Sequence, residues 1–196
     1  MGKQSWKAGN MLNPVPAVMV SVADQNHRPN IITVAWAGTV CTNPPMVSIS
    51  VRPSRYSYEI IEKTGEFVIN LTNEKLAKAC DYCGVVSGRD VDKFATFNDI
   101  KRSPNGLLYI TKDTNSYMSA FVKQEIDLGT HTLFIAQLVA AETLSDIPTA
   151  TYTYYQQNIK PKPEKTEKRG WRCKICGFIY EGDDLPADYI LSLIHI

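Results

Sequence analysis

Charge of one sign is missing. Lysine and arginine number 21 against 20 aspartates and glutamates in 196 residues, a formal net charge of +1. That balance removes any electrostatic case for nucleic acid or an anionic membrane as partner. Long apolar runs are missing too. None approaches the ~20 residues a membrane helix needs, and residues 1–10 lack the apolar core of a secretory signal. Cysteine is scarce. There are five, an odd number, and two Cys-x-x-Cys pairs take the place of a disulfide framework. A cytoplasmic, reduced protein is the expectation. The hydrophobic share of 44% is ordinary, and the length suits one sizeable domain plus an appendix.

Short β-branched runs broken by turn residues fill residues 14–155. Strands are expected at 15–22, 31–36, 46–51 and 66–71, with a turn at 25–30. A short helix over 57–63 is closed by Gly65. Thr72 or Asn73 caps a second helix, whose apolar face carries Leu76, Ala79, Cys80 and Cys83, and Gly84 follows as its stop. Strands at 119–127 and 132–141 are joined by Leu128-Gly129-Thr130. Many strands with few helices make the chain mainly β (α+β). The texture fits a closed β-barrel with helices covering an end or a side. Between Ile159 and Trp171 no apolar residue occurs, so this charged Lys/Pro stretch reads as a solvated linker.

Two segments carry the chemistry of a binding site. The small-residue turn Ala37-Gly38-Thr39 follows a strand and lets backbone N–H groups approach a flat ligand. The segment from Ser50 to Ser57 ends a strand and opens a helix with Arg52, Ser54, Arg55 and Ser57. Amides at a helix start, hydroxyls and guanidinium groups together suit a phosphate. Against these stand plainer readings: a tight strand-turn-strand, ordinary surface arginines, and a turn histidine at His131. Cys80 and Cys83 read as buried core cysteines. The alternative has them completing a metal site with Cys173 and Cys176.

Residues 13–155 resemble the flavin reductase-like, FMN-binding split-barrel family, in particular its flavoredoxin branch. The resemblance rests on Asn13-Pro14-Val15-Pro16, the turn from Trp36 to Pro45, and Arg52-Pro53-Ser54-Arg55-Tyr56-Ser57. It continues through residues 65–71, residues 83–94 with Ser87-Gly88-Arg89-Asp90, and His131-Thr132-Leu133-Phe134. It implies a split β-barrel, a homodimer with FMN near the subunit interface, and hydride transfer from NAD(P)H. Ala37, Gly38, Thr39 and Val40 would line the isoalloxazine, and Thr42 and Asn43 would reach its polar edge or ribityl chain. Arg52, Ser54, Arg55 and Ser57 would hold the phosphate. Lys93 would add an anion or flavin contact, and His131 would lie near flavin and nicotinamide. No general base is implied, because the flavin itself takes the hydride.

Cys173-Lys174-Ile175-Cys176-Gly177 resembles the first knuckle of a rubredoxin-like iron module. Two cysteines three apart with a following glycine let N–H groups point at metal-bound sulfur. A four-thiolate site needs a second pair, and the chain reads Leu191-Ser192-Leu193-Ile194-His195-Ile196 where it is expected. The expected organisation is a flavin reductase-like barrel (1–157), linker (158–169), truncated iron module (170–190) and a non-native or frameshifted tail (191–196). The whole resembles the high-molecular-weight rubredoxins. That implies electrons passing from NAD(P)H to FMN and, in an intact parent, to iron and a protein acceptor such as a flavodiiron protein, with iron absent here. The rival readings are an FMN-binding electron carrier without direct NAD(P)H activity, and a structural or interaction protein.

Overall fold

The computed structural model describes residues 8, 9, 12, 14–160, 170–172 and 179–181. The chain divides into two units, 1–160 and 161–196.

The first unit is built on β1 (Val18–Ala23), β2 (Pro29–Val34), β3 (Ala37–Thr42), β4 (Pro45–Val51) and α1 (Tyr56–Thr64). It continues with β5 (Glu66–Thr72), α2 (Ala77–Val85), β6 (Ile100–Arg102), β7 (Leu108–Ile110), β8 (Thr114–Asp127), β9 (Thr132–Thr143) and α3 (Tyr152–Asn158). Seven strands form one antiparallel sheet in the order β2-β1-β5-β8-β9-β4-β3, while β6 and β7 form a separate pair. The sheet rolls until its ends share a core: Ile32 and Val34 of β2 pack in one cluster with Val47, Ile49 and Val51 of β4. At the seam Ser50 N–H donates to Trp36 O at 2.9 Å, but no ladder joins β2 to β4 among the described residues. The barrel is therefore split, as the family resemblance implies, and not closed, as strand content alone suggested. A closed barrel abolishes edges; this one keeps two, β2 and β3.

Strand alternation is clean in β4, where Val47, Ile49 and Val51 are buried and Ser48 and Ser50 are not. α1 lays Ile60 and Ile61 into the same core and ends at Gly65, whose φ of 69° completes a left-handed cap with Gly65 N–H on Ile61 O at 2.8 Å. α2 packs on the other face of β1 and β2. Cys80 and Cys83 meet Met19, Ile31, Phe94 and Ile110 there. Asn73 starts this region by accepting from Lys75 N–H, and a single 3-10 turn leads into α2.

Two expectations change, and one element had no expectation. The small-residue turn at 37–39 is the start of an edge strand, since β3 pairs with β4 from Ala37 to Thr42 around a bulge. The helix does not stop at Gly84; it runs to Val85, with Gly84 lying against the Thr33 side chain. Residues 152–158, without a recognisable motif, form α3, which Thr151 caps through its hydroxyl.

The second unit contributes β10 (Gly170–Arg172) and β11 (Ile179–Glu181), an antiparallel pair with Trp171 opposite Tyr180. Cys173 and Cys176 lie outside the described residues, as do 161–169 and 182–196.

Candidate functional site

Three cavities that share wall residues form one groove along the seam of the split barrel. The widest, about 580 Å³, is walled by Val15, Ala35, Trp36, Ala37, Gly38 and Ser48. The next, about 340 Å³, shares Ala35, Trp36, Ser50 and Tyr152 with it and adds Thr33, Arg52, Arg55 and His131. The narrowest, about 90 Å³, shares Ile32 and Arg55 with the second and adds Ser54, Ser57, Arg89 and Lys93. The groove thus runs from a wide aromatic end to a narrow cationic end.

The narrow end follows from how β2, α1 and the loop after α2 meet. Arg55, the residue before α1, is extended (φ −82°, ψ 137°) and provides no side-chain cap, so the first-turn amides of α1 have no side-chain acceptor from it. Ser57 is buried and its Oγ accepts from Asn30 Nδ2 at 2.8 Å. Lys93 is only 3% exposed. Its Nζ donates to Ile31 O at 2.9 Å and Cys83 O at 2.8 Å, which leaves one of its three N–H donors. Burial holds the Lys93 ammonium below the usual lysine range; the Cys83 side chain opposes this and the neighbouring Arg55 charge adds to it. Arg89 ion-pairs with Glu59 and lies over the Tyr56 ring, 5.1 Å from its centroid. The cavity wall contains no aspartate or glutamate. Arg55 and Lys93 converge here without an acid in the wall and repel, and a bound anion relieves that repulsion.

The middle is set by His131, which sits where the tight turn after β8 enters β9. Leu128 N–H donates to His131 O at 2.9 Å and Gly129 takes φ 87°. Arg52 Nε–H donates to His131 Nε2 at 3.4 Å, while Nδ1 lies 3.0 Å from Thr130 Oγ1. This geometry places the proton of a neutral ring on Nδ1. Burial first, and the Arg52 charge second, lower the His131 pKa from 6.5. Trp36 packs on the ring at 4.3 Å between centroids, tilted by 46°.

The wide end is open. Trp36 is 40% exposed, and a Cβ built on Gly38 would meet nothing within 4 Å. Flat apolar surface beside an unobstructed backbone is the shape a planar ring needs.

Of the residues expected from sequence, Ala37 and Gly38 line the wide end; Arg52, Arg55 and His131 the middle; Ser54, Arg55, Ser57 and Lys93 the narrow end. Thr39, Val40, Thr42 and Asn43 are not brought into the groove within this chain; they are exposed on β3 and the turn after it. Cys80 and Cys83 are core residues. Burial pushes their thiols up to about 11 and about 12, the reverse of a metal-ready or nucleophilic pair. Among the described residues no three His, Cys, Asp or Glu side chains gather to hold a metal ion, and Cys173 and Cys176 lie outside them.

Sequence reasoning missed three contributors. Asn30 was read as the end of the turn at 25–30, whereas it lies buried in β2. Arg89 lay inside a matched stretch but had no assigned role. Tyr152 belongs to no motif, and only the fold places it.

The profile of the flavin reductase like domain matches residues 11–162. The chain is 31% identical to the high molecular weight rubredoxin of Moorella thermoacetica, over 76% of this chain and 79% of that protein. It is 25% identical to a ferric-chelate reductase (NAD(P)H) of Archaeoglobus fulgidus, over 64% of this chain and 74% of that one. The crystal structure of flavoredoxin from Methanosarcina acetivorans superposes with a TM-score of 0.65 at 26% identity, covering 72% of this chain and 76% of that one. A domain match over most of the chain, a relative above 30% identity and a shared split-barrel fold lead to one conclusion: the chain belongs to the flavin reductase-like family.

Proposed function

We propose that the groove holds FMN and that the protein is an oxidoreductase passing reducing equivalents from NAD(P)H to that flavin. One observation carries the reading: a single groove joins a flat aromatic end to a cationic end, floored by buried Lys93, without an acidic residue in the wall. The donor set fits the cofactor. Ser54, Arg55, Ser57, Lys93 and the first-turn amides of α1 suit its phosphate. Thr33 and Ser50 suit the ribityl hydroxyls, and Trp36, Ala37 and Gly38 suit the ring. FMN, when bound, supplies hydride acceptance and single-electron release. The chain's own residues bind, orient and exclude water. His131, neutral and held by Arg52, is the side chain proposed to face the nicotinamide; its lowered pKa avoids a third cation beside Arg52 and Arg55.

The exposed β3 edge supports a homodimer. Val40 is 50% exposed there, and Thr39, Thr42 and Asn43 are exposed and line none of this chain's own groove. In a dimer they would complete the wide end of the neighbouring copy. Cys173 and Cys176 supply only two of the four thiolates an iron centre needs, so onward transfer is proposed directly to a redox protein acceptor; the likeness to a high molecular weight rubredoxin supports a route of that kind.

The test is anaerobic mixing of the pure protein with FMN and with NADH or NADPH in turn. Bleaching of the visible flavin band is expected with one nicotinamide. Failure to retain FMN in equilibrium dialysis overturns the reading. Retention without bleaching by either nicotinamide favours the second reading, an electron carrier reduced by another protein, which the likeness to a flavoredoxin supports. Iron analysis of the same sample reports on Cys173 and Cys176.

A further inference from the structure

Tyr152, the first residue of α3, lines both the wide and the middle cavity, as Trp36 does. It lies half-buried at the junction between them. Its backbone is fixed: Tyr152 N–H donates to Val15 O at 2.8 Å, Pro16 bridges Thr151, and Thr151 Oγ1 accepts from Tyr154 N–H at 3.2 Å. Its ring is backed by Tyr155, at 5.8 Å between centroids and nearly parallel, with 17° between planes. Tyr155 OH in turn donates to Asp81 Oδ1 at 2.6 Å, and burial together with the Asp81 carboxylate pushes the phenol up to about 12. It therefore stays a proton donor throughout the working range.

Asp81 follows Cys80 on α2. Cys80 O accepts from Thr33 Oγ1 at 2.5 Å, and Thr33 belongs to β2 and lines the middle cavity. Consecutive residues of one helix thus hold two walls of the groove: Cys80 holds the β2 wall and Asp81 holds α3. A wall set by packing alone would accept a range of widths. One tied by hydrogen bonds to the same helix as its opposite keeps a single width, and a planar ring is sensitive to that width.

We propose that Tyr152 is a binding residue of the groove, an aromatic wall for the planar ring, and that the Tyr155–Asp81 hydrogen bond is the positioning contact that sets it. This inference rests on the FMN reading above. It adds a ring contact supplied by α3, outside the sequence segments that carry the family resemblance to FMN binding.

The experiment measures FMN affinity and the emission of bound flavin for the full chain and four variants, with circular dichroism as the fold control. An electron-rich ring in contact with a flavin quenches its emission. Tyr152→Phe keeps the ring, so wild-type affinity within about twofold is expected. Tyr152→Leu is expected to weaken FMN about tenfold and to brighten what remains bound. Asp81→Ala is expected to loosen binding about threefold and to raise emission, and Asp81→Asn, which retains an acceptor oxygen, to restore both. Unchanged affinity and emission in Tyr152→Leu, with the wild type binding FMN, overturns the inference and leaves the FMN reading standing. A wild type that binds no FMN overturns both. If Tyr152→Leu fails to fold, the aspartate pair decides: equal behaviour of Asp81→Ala and Asp81→Asn sinks the positioning role.

Discussion

The two ends of the groove are built on opposite plans. At the narrow end the polar groups are bonded before any ligand arrives: Asn30 to Ser57, Lys93 to two carbonyls, Arg89 to Glu59. At the wide end Trp36 is exposed, Gly38 faces open space, and β3 is a sheet edge. A compact anion is held by donors fixed in advance, because reorganising them on binding costs affinity. A flat ring needs only surface and exclusion of water, so its end can be left for α3 or a second subunit to finish. The consequence is that the floor of the narrow end, Asn30, Ser57 and Lys93, is part of the folded core, whereas the wide end can change with little effect on folding.

One substitution made at both ends tests that difference most sharply. A Cβ on Gly88 would overlap the side-chain amide of Asn30, which holds buried Ser57. Gly88→Ala is expected to cost about 3 kcal/mol, the sum of overpacking and a displaced buried hydrogen bond. Gly38→Ala meets nothing within 4 Å and is expected to stay within about 0.5 kcal/mol of wild type. Urea denaturation of both decides it; equal costs break the comparison.

Lys93→Met comes next. It takes the donor from Ile31 O and Cys83 O, and about 2 kcal/mol of destabilisation is expected, offset in part by the relief of a buried charge. FMN affinity should fall as well. A variant as stable as wild type would show that these carbonyl contacts contribute nothing net. Arg55→Ala lies at the surface of the same end. It should leave the urea midpoint alone while weakening FMN about tenfold, and the weakening should shrink as salt is raised. Loss of riboflavin binding to the same degree would mean that Arg55 does not act on the phosphate.

The narrow end was legible in sequence because its chemistry is local. Ser54, Arg55 and Ser57 fall within one strand-to-helix turn, and residue type at that spacing already describes an anion site; Arg52, expected to hold the phosphate with them, lines the middle of the groove instead and donates to His131. Lys93 was found only through the family likeness, and its two carbonyl partners belong to segments 10 and 62 residues away. The wide end was half legible. Ala37 and Gly38 could be named, but reading a turn where β3 runs hid the fact that Thr39, Val40, Thr42 and Asn43 are exposed and lie outside this chain's groove. Tyr152 was invisible because nothing local marks it; it reaches the groove through the Val15 contact and the Tyr155–Asp81 bond, both long-range. The core role of Cys80 and Cys83 was readable, since their spacing puts them on the same helix face as Leu76.

The smallest expected effect concerns the middle of the groove, where the two plans meet. His131 accepts from Arg52 on Nε2 and faces Thr130 on Nδ1. Protonating the ring would set a donor against the Arg52 donor, and both burial and that charge lower its pKa from 6.5. Between the lowered folded value and 6.5 the unfolded chain binds more protons than the folded one. Stability therefore rises with pH across that window and falls as pH drops below about 6.5. The ring is partly exposed and solvent screens the Arg52 charge, so the effect is a fraction of the others. His131→Gln has no group to titrate there. Urea midpoints of wild type and variant, compared from about pH 7.5 down to about pH 5, should diverge only on the acid side. Parallel curves would mean that burial and Arg52 do not hold His131 neutral. The middle would then belong with the loose wide end, not with the fixed narrow one.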